Sequence, residues 1–165
     1  MICVYYTTEK TESRAFLARV LEEFYGIRDA ARRLQFNLHG KPYLKDAPVR
    51  FNLSHSGALT AVAAGRHQVG IDVQQRTPRP HDAILARLTP AEREEDFFRL
   101  STAKEAYVKY RGGSLAAMLP RLAFEDGNLF EDGTPAPAHL FFGELEDCAL
   151  CICSEKEENI VYRPL

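Results

Sequence analysis

The chain has 165 residues, 45% hydrophobic and 27% charged, with a net charge of −2 at neutral pH. That length suffices for one sizeable core, or for two small lobes sharing one. No apolar run approaches the roughly 18 residues of a membrane span, and the slightly negative charge argues against bulk nucleic-acid binding.

The chain opens on Met1-Ile2-Cys3-Val4-Tyr5-Tyr6, which lacks a basic start and reads as a first strand rather than a signal peptide. A cytoplasmic location is the expectation. Thr7 to Thr11 supplies helix-starting residues, Phe16, Leu17, Val20, Leu21 and Phe24 recur at helical spacing, and Gly26 closes the helix. Asp29 to Arg33 reads as a short basic helical turn, Leu34 to Leu38 alternates like a strand, and His39-Gly40-Lys41-Pro42 is a turn. Phe51 to Ser54 and Leu59 to Ala64 form a hairpin around Ser56-Gly57, and Val69 to Val73 is a further strand.

Gln75 to Pro80 is polar and proline-rich, hence a loop. Thr89-Pro90-Ala91-Glu92 reads as a helix start that runs through Phe97 and Phe98 into a central helix. In that helix Ala103, Ala106, Tyr107 and Tyr110 share one stripe, while Glu105 and Lys109 lie nearly opposite and Lys104 at the flank. Gly112 and Gly113 end it. Arg121–Glu125, Asn128–Glu131, Ala138–Glu144 and Cys148–Ser154 follow as strands, with Asp126-Gly127 and Asp132-Gly133 as turns and Asn159 to Tyr162 as a short last strand.

Mixed helices and strands without regular alternation predict an α+β fold, with a helix and a small antiparallel sheet in each half, residues 1–66 and 67–165. Cys148, Cys151 and Cys153 share one strand. No second pair completes a zinc site, so they read as buried free thiols. The charge is uneven. Arg28, Arg32, Arg33, Lys41, Lys45 and Arg50 face only Asp29 and Asp46, a basic patch suited to an anionic small molecule or an acidic protein surface. A solvated face would look the same.

Four motifs occur in order: Gly40-Lys41-Pro42-Tyr43, Phe51-Asn52-Leu53-Ser54-His55-Ser56-Gly57, Val69-Gly70-Ile71-Asp72-Val73, and Lys104-Glu105-Ala106 followed by Lys109. In this arrangement the chain resembles the 4′-phosphopantetheinyl transferases of the single-chain kind, which activate carrier proteins of peptide, polyketide or fatty-acid synthesis. The likeness runs from about Gly40 to Leu115. It implies two similar α/β lobes about a pseudo-twofold axis, with the active site in the cleft between them. It also implies a monomer that moves the phosphopantetheine arm of coenzyme A to a serine of an apo acyl, peptidyl or aryl carrier protein.

Such a reaction is attack of a hydroxyl on a pyrophosphate and needs a cation for the phosphates and a proton acceptor. Magnesium takes one or two carboxylates, with phosphates and waters completing its shell. The resemblance points to Asp72 and Glu105 as metal ligands, to Glu105 as proton acceptor and to Lys109 on the pyrophosphate. Lys104 is placed on the pantetheine or phosphates. Lys41 with the adjoining Pro42, Ser54 and His55 are expected at the coenzyme's phosphates. Arg33, in the basic segment, reaches either the 3′-phosphate or a carrier protein.

The chain departs from the family pattern at two positions. Gln74 stands where the family commonly carries Glu; its amide oxygen can ligate a cation but brings no charge. Ser101 stands where an aromatic is frequent, and packing there falls to Phe97 or Phe98. Adjacent Ser54 and His55 point to opposite faces of a strand, which disfavours a hydrolytic dyad. Two other classes stay open on the residues: a degenerate, non-catalytic module that binds coenzyme A or a carrier protein, and a metal-dependent phosphoesterase.

Overall fold

The structure, a computed structural model, describes residues 1–77 and 88–165. The loop expected over Gln75–Pro80 passes out of the described residues after Thr77. Within them the α+β mixture holds. The first half contributes β1 (Ile2–Thr7), α1 (Ser13–Tyr25), the short α2 (Ala30–Arg33), β2 (Gln35–Phe36), β3 (Pro42–Tyr43), β4 (Arg50–Ser56) and β5 (Leu59–Gly65). The second half contributes β6 (Val69–Gln75), α3 (Phe97–Arg111), α4 (Leu115–Met118) and β7 (Leu122–Glu125). It continues with β8 (Asn128–Glu131), β9 (Thr134–Pro135), β10 (His139–Leu145), β11 (Cys148–Ser154) and β12 (Ile160–Pro164).

Helix α1 forms where the apolar spacing predicts it, and Phe16, Leu17, Val20 and Leu21 are buried. Its cap is Glu12, whose side chain accepts from the Ala15 amide at 2.7 Å, rather than a threonine between Thr7 and Thr11. The central helix also begins later than expected. Thr89 and Glu92 form a reciprocal capping pair, but on a separate 3-10 turn over Glu92–Glu94. The chain then turns extended at Glu95, and Asp96 caps α3 afresh through the Phe98 and Arg99 amides.

Two sheets carry the fold. One has the order β12-β1-β5-β4, the other β10-β11-β6. The β4–β5 hairpin pairs Ser56 with Leu59, as the turn at Ser56-Gly57 predicts. β12 leaves the second half and pairs in parallel with β1, placing Ile160 opposite Ile2. A division at 66/67 therefore leaves the last strand on the sheet of the first half. Helix α1 packs on the first sheet and α3 on the second. Between the sheets lies a shared layer that includes Ile2, Val4, Ala61, Ala63, Val69, Ile71 and Val73.

Where β4 and β6 meet, side chains replace a backbone ladder. Asn52 Oδ1 accepts from the Ile71 amide at 3.0 Å, Ser54 Oγ from the Val73 amide at 3.2 Å, and Ser56 Oγ from the Gln75 amide at 2.9 Å. Residues two apart on a strand share a face, so the alternation Asn-x-Ser-x-Ser sets three acceptors in register with three outward amides of β6. Asn52 is buried, and Asn52→Ala is expected to cost about 1–3 kcal/mol, because the Ile71 amide would be left dry and unpaired. Urea denaturation reads this directly, as a lower midpoint with an unchanged slope.

All four cysteines are free and buried, as expected. Cys151 and Cys153 pack against the underside of α3 beside Ala103, Ala106 and Tyr107. The fully buried Tyr107 donates to Glu131 at 2.7 Å, and Arg111 bridges both groups. That polar knot fastens the β7–β8–β9 sheet to the last turns of α3.

Candidate active site

The sheets and α3 enclose a cleft of about 780 Å³, large enough for a sizeable organic ligand. β4 supplies Ser54 and His55 to its wall, β6 supplies Asp72 and Gln74, α3 supplies Glu105 and Lys109, the turn before β3 supplies Lys41, and β3 itself supplies Pro42. Thus all but two of the sequence-predicted site residues meet here. Arg33 is exposed on α2 and does not line the cleft. Lys104 is turned away from it. One residue along a helix rotates a side chain by about 100°, so Lys104 points to the flank while Glu105 points inward. There Lys104 pairs with Glu92 at 2.5 Å. Glu92 is fully buried and also accepts from the Phe124 and Thr89 amides, so this pair ties the Glu92 turn to α3 and β7.

At the floor of the cleft Asp72 is 3% exposed. Its Oδ1 accepts from Lys109 Nζ at 2.7 Å and from Ser54 Oγ at 3.0 Å, and Ser54 in turn accepts from Lys109 at 3.0 Å. Ser54 is therefore saturated, with one donor and two acceptor positions used. It contacts the carboxylate and the lysine rather than His55, whose side chain is exposed. Lys109 pairs across to Asp72, not along the helix to Glu105 four residues before it.

The other side of Asp72 faces Gln74. The Gln74 Nε2 amide donates to Asp72 Oδ2 at 2.9 Å, to Ser101 Oγ at 2.9 Å and to Glu105 Oε1 at 3.3 Å. Two carboxylates from different elements thus converge on one polar point. Burial, with the nearby Asp72 charge adding to it and Lys109 opposing it, pushes the Glu105 carboxyl up to about 7. Because the folded pKa lies above the unfolded one, the folded state holds the extra proton between pH 4.5 and 7. Stability of the cation-free protein should therefore fall as pH rises through that window, by roughly 3 kcal/mol if the whole shift is realised. Thermal melts in chelator from pH 4.5 to 8 test this, and Glu105→Gln should flatten the slope.

Lys41 occupies an unexpected position. Its Nζ donates to the carbonyls of Lys109 at 2.6 Å, Val69 at 3.1 Å and Tyr110 at 3.4 Å, capping the C-terminal end of α3 from 68 residues away. Burial pushes its ammonium down to about 8. Asn37 Nδ2 adds a bond to the Gly112 carbonyl at 2.9 Å, where the helix ends in the left-handed region with φ of 64°. A cation at this end suits the helix dipole. The sequence predicted Lys41 at an anion; the structure shows it holding α3, while its stem still lines the cleft.

Asn52, Asn37 and Ser56 were missed as organising residues. The alternation in β4 was the available signal for two of them, while Asn37 had none. Arg14, from α1, lines the cleft mouth and lies over the Phe36 ring at 4.5 Å.

The oxygen donors Asp72 and Glu105 fit a hard divalent cation that completes its shell with ligand oxygens and waters. Among the described residues no cluster of three or more His, Cys, Asp or Glu side chains is placed to hold a metal, so two carboxylates and the Gln74 carboxamide are what this point supplies. Lys109 and His55 also line this cleft.

A family model described as the 4′-phosphopantetheinyl transferase superfamily matches residues 68–162, and the chain belongs to that family. It is 31% identical to the 4′-phosphopantetheinyl transferase HetI of Nostoc over 126 residues, 66% of this chain and 53% of that protein. It is 30% identical to the 4′-phosphopantetheinyl transferase psf-1 of Bacillus pumilus over 131 residues, 71% and 54% of the two chains. With the 4′-phosphopantetheinyl transferase AcpT of Salmonella typhimurium it shares 39% identity over 90 residues, 46% and 47%. The chain spans about half the length of the curated relatives it matches.

Proposed function

We propose that this protein transfers the 4′-phosphopantetheine arm of coenzyme A to a serine of an apo carrier protein, releasing adenosine 3′,5′-bisphosphate. The observation that carries this is the convergence of Asp72, Glu105 and Lys109 in one cleft, in a chain of this family. The carrier hydroxyl attacks the phosphorus that bears the pantetheine arm, and the bond to the other phosphate breaks. Lys109, already held at the cleft floor, stabilises the charge that grows on the pyrophosphate oxygens. Glu105 takes the serine proton. His55, Lys41 and Pro42 line the cleft along the proposed path of the phosphates.

Asp72 and Glu105 would hold the magnesium ion, with Gln74 beside them. Bound there, it would neutralise the pyrophosphate and polarise its oxygens. Asp72 itself keeps Lys109 aimed into the cleft. Basic Arg33 and its neighbours on α2, outside the cleft, suit the acidic surface of a carrier protein. The two halves, each with a helix packed on a sheet, fit a pseudo-twofold arrangement of lobes in a monomer. No described helix is long and apolar enough to cross a membrane, and we place the reaction in the cytoplasm.

The rivals separate on one assay. Adenosine 3′,5′-bisphosphate should appear from coenzyme A only when an apo carrier protein is present. Release without a carrier would favour the phosphoesterase, which the two carboxylates of this cleft furnish poorly. Binding of coenzyme A without release under either condition would select the non-catalytic module.

A further inference from the structure

We infer that the Gln74 carboxamide, held by Ser101, is a built-in occupant of the cation position, one that a divalent cation must displace to reach Asp72 and Glu105. This rests on the reading that the cleft uses such a cation. The Gln74 amide nitrogen is within 3.3 Å of an oxygen on each carboxylate and 2.9 Å from Ser101 Oγ. An N–H pair is the electropositive face of a neutral group. It stands at the point where two acids from β6 and α3 converge, and it keeps them together without a full charge.

Turning the carboxamide over would aim its oxygen at both carboxylates, which is unfavourable until a cation lies between them. The two carboxylates select the observed orientation, and the Ser101 hydroxyl, which accepts from the amide, helps to hold it there. Gln74 and Ser101 therefore act as a pair, and Ser101 works only through Gln74. The consequence is a site that resists cations when no phosphate ligand is present, and so favours loading the cation together with the phosphates.

The test is Mn2+ binding to the intact protein, followed by electron paramagnetic resonance, with and without coenzyme A. Gln74→Ala should bind Mn2+ alone about fivefold more tightly than the parent, the worth of one displaced hydrogen bond. Ser101→Ala should shift the same way by about twofold, and the double variant should match Gln74→Ala alone. In the unaltered protein, the Gln74 side-chain amide protons should be protected from exchange with solvent and lose that protection on adding Mg2+. This last reading needs no variant to fold. Equal or weaker Mn2+ binding by Gln74→Ala, or amide protons indifferent to Mg2+ that does bind, would overturn the inference. Absence of Mn2+ binding in every variant, even with coenzyme A, would remove the cation site itself and this inference with it.

Discussion

Asp72→Asn should lower transfer to a carrier protein by about a thousandfold, the scale seen when a charge-stabilising group is lost from an active site. The substitution keeps the shape of the side chain and its bond to Ser54. It removes the charge that pairs with Lys109 at 2.7 Å and one of the two carboxylates that converge on Gln74. Because Asp72 is buried and Lys109 only partly so, the lysine can turn toward solvent in the variant instead of remaining a trapped charge. The fold should therefore survive, with a circular dichroism spectrum and melting curve close to those of the parent. Loss of activity with a retained fold separates a role in the reaction from one in folding. Full activity in Asp72→Asn would sink the metal and lysine-positioning roles together.

Gly70→Ala should fail for a different reason and more completely. Gly70 lies on β6 directly beneath α3. An added Cβ would overlap the Ala106 carbonyl oxygen and stand 2.5 Å from the Tyr110 nitrogen and 2.9 Å from its Cα. All three are helix backbone, which cannot rotate aside as a side chain can. The helix would have to lift off the sheet along its whole contact, separating Asp72 and Gln74 on the strand from Glu105 and Lys109 on the helix. Overpacking of a well-packed core costs about 1–3 kcal/mol when side chains can shift. Against fixed backbone the cost should exceed about 4 kcal/mol, so Gly70→Ala is expected as insoluble or molten protein. A natively folded Gly70→Ala with the parent's melting temperature would contradict the packing of α3 on β6.

Much of this arrangement was legible in the sequence. An acid inside Val69-Gly70-Ile71-Asp72-Val73 breaks an apolar run, and the stripe Ala103, Ala106, Tyr107 leaves Glu105 and Lys109 on the remaining face of the helix. Both signals are periodic and local, and the structure brings both to one cleft. What could not be read were partners distant in sequence. Lys41 after a glycine looks like a free cation, and its three carbonyl acceptors are known only once α3 ends beside it. Lys104 next to Glu105 looks equally available until Glu92 claims it. Thr89-Pro90-Ala91-Glu92 carries a true capping pair, but the extended Glu95 ends that turn before the main helix starts. The polar alternation of Asn52, Ser54 and Ser56 was visible as a pattern. Its purpose was not, because the outward amides of β6 that it satisfies belong to a strand the sequence does not align with it. β12 pairs in parallel with β1 at the opposite end of the chain, a register no local pattern records.

Intact-mass spectrometry of a panel of apo carrier proteins, each incubated with this protein and coenzyme A with and without magnesium, tests the proposed transfer most directly. A magnesium-dependent gain of one phosphopantetheine arm is expected on at least one carrier, and its loss is expected in Asp72→Asn. No gain on any carrier, with coenzyme A nonetheless bound, would contradict it and leave the cleft as a binding site without turnover.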